Sequence, residues 1–192
     1  MSSIQNLLST NEHILLDGAC GTELQRRGVK TTLPLWSAQA LITNPGVVQQ
    51  IHEDYIRAGA QIITTNTFRT TRRVLAKGGL AEQAEILTKR AVKLARNAVA
   101  AVNLNYKVYI AGSVAPLEDC YRPDLVPALG QAEKEHQEHV AHFQDAGVDF
   151  IMLETYNTIG EARVALQAVK EAGFEATVSF VTGPDGNILS GE

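Results

Sequence analysis

The stretch Ile14–Gly28, ILLDGACGTELQRRG, decides how the rest of this 192-residue chain is read. Ile14-Leu15-Leu16 is a short apolar run that predicts a buried strand, and it stops on Asp17 followed by Gly18, Ala19, Cys20 and Gly21. An acid therefore stands at a strand's carboxyl end. The glycines beside it let the backbone turn tightly and bring N–H groups close to a small anion such as a carboxylate. Neither a P-loop lysine pattern nor GxGxxG is present, so nucleotide binding is set aside.

Working outward, the same pattern recurs. Gln61–Thr65, Val108–Ala111, Phe150–Leu153 and Ala176–Val181 are β-branched or apolar runs that end in small or polar residues. Helical spacing fills the intervals. Asn44 and Pro45 open a helix that places Val47, Ile51, Tyr55 and Ala58 on one face before Gly59. Apolar residues from Leu80 to Val102 keep helical spacing on the longest helix, and another runs from Gly130 to Ala146-Gly147. Thr158 and Glu161 form a capping-box signature for a helix reaching Gly173. Strands alternating with crossover helices imply a parallel α/β sheet, either open and doubly wound or an eight-stranded barrel, and both place the site at the strands' carboxyl ends. A complete barrel takes about 250 residues, so about five strands and four crossover helices leave this chain short of one.

Composition narrows the function. A net charge of -4 with interspersed signs argues against nucleic acid as a partner. The opening MSSIQNLLSTNEH lacks the basic flank and apolar core of a signal peptide, and no stretch approaches the roughly 18 apolar residues of a membrane span. A cytoplasmic protein is expected, with Cys20 and Cys120 as free thiols that cannot alone complete a structural zinc site. Asp17 and Glu154 each end an apolar strand and would share one face of the sheet, where two carboxylates can hold an ammonium group, bind a metal with a third ligand, or divide acid and base roles. Simple capping of the following helices is the bland alternative. His136, His139 and His142 at intervals of three, among Glu133, Glu135, Glu138 and Asp145, read as a solvated helix face rather than a metal site. The cluster Pro34-Leu35-Trp36 reads as core or lid packing.

Taken together, Leu16-Asp17-Gly18-Ala19-Cys20-Gly21-Thr22-Glu23-Leu24, Ile63-Thr64-Thr65-Asn66-Thr67-Phe68, Ala111-Gly112-Ser113-Val114-Ala115-Pro116, Leu153-Glu154-Thr155 and Val178-Ser179-Phe180 resemble, in order, the motifs of the homocysteine S-methyltransferase family. The resemblance implies a (β/α)8 TIM barrel that transfers a methyl group from an activated donor, S-methylmethionine or another sulfonium, betaine, or a methylated folate delivered through cobalamin, to the homocysteine thiolate, giving methionine. It implies that Asp17 and Glu154 hold the substrate's ammonium end, that the backbone of Gly18 meets its carboxylate, and that Asn66 lines the same pocket. It also implies zinc on three cysteine thiolates, which lowers the substrate thiol's pKa. The family's zinc cysteines lie on later strands, and Cys20 and Cys120 do not match them. Residues 1–192 are thus expected to be one homocysteine-binding domain that stops before the zinc-cysteine motifs, inactive alone, with Cys20 and Cys120 only weak metal candidates. Exposed sheet flanks would favour a homo-oligomer or a covering partner chain. Two rivals stand beside this reading: a non-catalytic amino-acid-binding or assembly module, and another barrel enzyme using Asp17 and Glu154 as acid and base on a small carbonyl substrate.

Overall fold

Consecutive strands lie side by side in parallel, in the order in which the chain makes them. In the computed structural model, which describes residues 4–10 and 13–192, β1 (Ile62–Thr64), β2 (Tyr109–Val114), β3 (Phe150–Tyr156) and β4 (Ala176–Phe180) form one sheet ordered β1-β2-β3-β4. The register pairs Ile63 with Ile110, Ser113 with Met152, and Met152 with Thr177. The helices are α1 (Ile4–Thr10), α2 (Cys20–Arg26), α3 (Ala40–Thr43), α4 (Pro45–Arg57), α5 (Arg72–Ala76), α6 (Ala84–Val102), α7 (Leu129–Ala141) and α8 (Ile159–Glu171). A doubly wound sheet reverses its strand order at a switch point. Here the order never reverses, which is the sequence of a barrel wall.

Alternation along the strands separates two faces. Ile63, Ile110, Val114, Ile151 and Leu153 pack against the crossover helices, where α4 lies on α6 and α7 on α8. Gly112 on β2 is required by this packing, since a Cβ there would stand 2.9 Å from the Phe143 ring and 2.8 Å from Ile151. The opposite face, with Ile62, Tyr109, Ala111 and Phe150, is covered near its start by Ile4 and Leu7 of α1. Sequence reading missed α1, although Ile4, Leu7 and Leu8 carry helical spacing.

Other expectations need correction. The first of the five strands is reduced to a single bridge, Leu16 to Ile62, with Asp17 N donating to Ile62 O at 3.0 Å. Leu15 and Leu16 are 53% and 43% exposed, because this segment has a strand neighbour on one side only among the described residues. The Val108–Ala111 strand runs on to Val114, fully buried. His136 and His139 do not form a solvated face with His142: both are buried, His142 is half-buried, and Phe143 and Val140 turn inward beside them. The face of α7 that carries Ala132, His136, His139 and Val140 is the one covered by α8 and by the segment before α5, while Glu133, Lys134 and Gln137 face solvent. Asn44 sits at the helix start without a side-chain cap, and Pro45 follows at the first helical position. Thr158 does cap Glu161 N at 3.3 Å. Glu161, however, does not return to the cap; its Oε1 accepts from Leu117 N at 2.8 Å and lies 3.1 Å from His136 Nε2.

Candidate active site

Four successive strand ends converge on a cavity of about 650 Å3. Asp17 enters from the Leu16 bridge, Thr64 from β1, Ser113 from β2, and Met152 and Glu154 from β3, all on the face away from the crossover helices. Period-two alternation puts Thr64 in line with Ile62 and Ser113 in line with Ala111, so each hydroxyl reaches the acid of the adjoining segment. Thr64 donates to Asp17 through its N (2.8 Å to Oδ2) and its Oγ1 (3.1 Å to Oδ1). Ser113 Oγ donates to Glu154 Oε1.

Burial raises both acids. Asp17 is pushed up to about 7, chiefly by loss of water, against the Thr64 hydrogen bonds that favour its charge and with the Glu154 charge adding to the rise. Glu154 is also raised by burial, with the Ser113 hydrogen bond pulling the other way. Two acids that resist ionisation beside each other form a place where a cation gains most.

Alternation from Phe150 and Met152 carries Glu154 to the cavity face, and an irregularity interrupts the pattern after it. The β3–β4 register shifts between Leu153 and Tyr156, and Thr155 sits at φ +60°, a rare backbone region for a β-branched residue. Thr155 Oγ1 donates to Glu154 O at 2.7 Å. As a result Thr155 joins Glu154 in lining the cavity, and Tyr156 returns to the buried core beside Leu153. Nothing in the run Phe150–Leu153 announces this.

The loops close the site. Gly18, Cys20 and Gly21 line it from the segment into α2, and Asp119, Cys120 and Tyr121 from the loop after β2. Asn66 lines it too, its Nδ2 donating to Ser37 O at 2.9 Å. Trp36, expected in the core or a lid, lies in the cavity wall edge-on to Phe68, 6.1 Å between ring centroids. It covers Gly21, where an added Cβ would stand 2.3 Å from the indole. The structure thus brings together Asp17, Gly18, Asn66 and Glu154, and it adds Thr64, Ser113, Trp36 and Arg69, which sequence reasoning had not singled out as site residues.

The family model described as homocysteine S-methyltransferase matches residues 14–192. The chain belongs to the homocysteine S-methyltransferase family. It is 36% identical over 169 residues to the homocysteine S-methyltransferase of Escherichia coli (strain K12), covering 82% of this chain and 54% of that protein. To homocysteine S-methyltransferase YbgG of Bacillus subtilis (strain 168) it is 32% identical over 196 residues, covering 95% of this chain and 62% of that one. The chain therefore spans little more than half the length of these family members. The crystal structure of the homocysteine methyltransferase MmuM from Escherichia coli, metallated form, superposes with a TM-score of 0.89 at 32% identity, over 98% of this chain and 69% of that one.

MmuM in that crystal structure is metallated. Among the described residues no three His, Cys, Asp or Glu side chains are grouped to hold a metal ion. Cys20 and Cys120 do line the cavity, but burial pushes the Cys20 thiol up to about 12, with the Asp17 charge adding to it, and burial raises Cys120 as well. A zinc thiolate site needs ionised sulfurs and a third donor. The described residues do not fit zinc. No helix among them is long and apolar enough to cross a membrane.

Proposed function

We propose that the cavity grips homocysteine by its amino-acid end, within one homocysteine-binding domain over residues 1–192, as acceptor for a methyl group. Asp17 and Glu154 receive the ammonium group, the backbone at Gly18 meets the carboxylate, and Asn66 lines the pocket beside them. The reaction joins the homocysteine sulfur to the methyl carbon of an onium donor such as S-methylmethionine. The donor's own bond to that carbon breaks and leaves a neutral thioether, the thiol proton goes to solvent, and methionine forms. What supports the reading is that two carboxylates far apart in sequence, both raised by burial, meet in one cavity of a chain that belongs to this family.

Calorimetric titration with homocysteine tests it. Asp17→Asn and Glu154→Gln should each weaken binding by about ten- to hundredfold, the worth of a charge-assisted hydrogen bond. Unchanged affinity in both variants overturns the reading. Because an ammonium favours ionised Asp17, binding should release protons below about pH 7 and weaken as pH falls. A non-catalytic amino-acid-binding module would use the same grip, and turnover by the chain would exclude it. Methionine produced from homocysteine and S-methylmethionine by residues 1–192 supports a transferase and overturns their expected inactivity alone, whereas binding without methionine is the result expected both of the module and of a transferase portion inactive alone.

A further inference from the structure

The cavity wall contains a cation that the grip described above does not use. Arg69 lies on the segment between β1 and α5 and lines the cavity. Other arginines have partners or face solvent: Arg72, Arg73 and Arg122 pair with carboxylates, Arg90 and Arg96 donate to the main-chain oxygens of Leu41 and Ala146, and Arg163 is exposed. Arg69 differs. Its Nε is buried without a hydrogen-bond partner among the described residues, and its guanidinium carbon lies 5.8 Å from the centre of the Phe68 ring. Asp119 also lines the cavity, but its Oδ1 accepts from Tyr121 N at 2.9 Å.

A buried donor without an acceptor is costly, and such groups are rare enough in native proteins that each calls for a cause. Arginine side chains keep their charge in proteins, so the cost is not relieved by losing a proton. The planar fork matches a carboxylate bidentately. We propose that Arg69 is a carboxylate-binding residue of this cavity, holding the carboxylate of an amino-acid- or betaine-type small molecule. The proposal deepens the homocysteine reading and rests on it for the identity of the ligands. With Asp17 and Glu154 it would give the cavity opposite charges for a zwitterion. The carboxylate has two sources, the acceptor amino acid or a carboxylate-bearing methyl donor.

Trp36 is the single tryptophan of the chain and lines the cavity, so its fluorescence reads occupancy. The wild-type chain, Arg69→Lys and Arg69→Gln are titrated with homocysteine, S-methylmethionine and the primary amide of each. In the wild type, capping the carboxylate as the amide should weaken binding about ten- to hundredfold for the molecule that Arg69 holds, and in Arg69→Gln that preference should vanish. Loss of preference for homocysteine assigns the acceptor, and loss for S-methylmethionine assigns the donor. An Arg69→Gln variant with wild-type circular dichroism and melting that keeps the preference for both overturns the proposal. If the wild type binds none of the four, the homocysteine reading fails, and the Arg69 Nε–H resonance of the wild type is then titrated with propionate by NMR. A saturable shift, lost in Arg69→Lys, upholds the carboxylate site without that reading; no shift overturns it. The same NMR titration decides the matter if Arg69→Gln does not fold.

Discussion

Half-buried Asp17 and fully buried His52 are ionisable side chains whose effects on stability run in opposite directions with pH. Asp17 holds its proton more tightly folded than unfolded, its pKa rising from 3.8 to about 7. The stability this gives is full below pH 3.8 and is lost as pH rises to about 7. Asp17→Asn should therefore stabilise the protein against urea by on the order of 1–2 kcal/mol more at about pH 8 than at about pH 5, and a gap that does not change with pH would mean that burial is not what holds this acid. Because the variant gains stability, lost homocysteine binding in it is not a folding defect. His52 is pushed down to about 4 by burial, with both ring nitrogens unpartnered among the described residues. It is neutral in the fold and charged when unfolded below about 6.5, so its stability is present above 6.5 and lost as pH falls toward 4. His52→Leu, close in volume, should stabilise by about 1–2 kcal/mol more at about pH 5 than at about pH 8 in the same urea measurement. Neither trend was readable from sequence. Asp17 was legible as a site residue because it ends an apolar run, whereas His52 shows no local pattern, and burial is set by α4 meeting its neighbours.

At the level of elements, Glu161 shows how a correct local signal acquires a different job. The Thr158-x-x-Glu161 spacing correctly marks the start of α8, and Thr158 does cap it. The carboxylate instead ties the segment after β2 to α7, accepting from Leu117 N and facing His136, with both side chains fully buried. Glu161→Ala should cost about 2–4 kcal/mol by leaving a buried N–H and an imidazole without their partner. Thr158→Ala should cost about 1 kcal/mol, the ordinary value of a cap. Equal losses in urea denaturation would return Glu161 to the capping role. Thr155 makes the same point on β3, since alternation already turns the strand-end acid Glu154 into the cavity but the shifted register that brings Thr155 there too belongs to the pairing with β4. His136 and His139 were misread because spacing along one helix says which residues share a face and nothing about what covers it.

The whole molecule presents a wall with two unpaired flanks among the described residues. Leu15 and Leu16 are exposed beside β1, and Val178 and Phe180, at 38% and 37% exposure, on β4. Apolar strand edges of this kind recruit further strands. Sedimentation equilibrium should accordingly show a mass above the 20.8 kDa of one chain, increasing with concentration, and Leu15→Lys with Phe180→Lys should return it to the monomer. A wild-type mass that stays at one chain across that range would refute the expectation.

The amino-acid order by itself determined the strand and helix alternation, the parallel sheet, the placing of Asp17 and Glu154 at strand ends and the resemblance to the family that the comparisons then established, because period, turn chemistry and motif are local. Only the tertiary structure decided that the Leu16 run is an exposed bridge, that Thr64 and Ser113 hold the two acids, that His136 and His139 are buried, and that Arg69 stands in the cavity with its Nε unpartnered among the described residues. Each of these depends on what lies across from a residue, and partners distant along the chain are chosen by packing, not by neighbours in sequence.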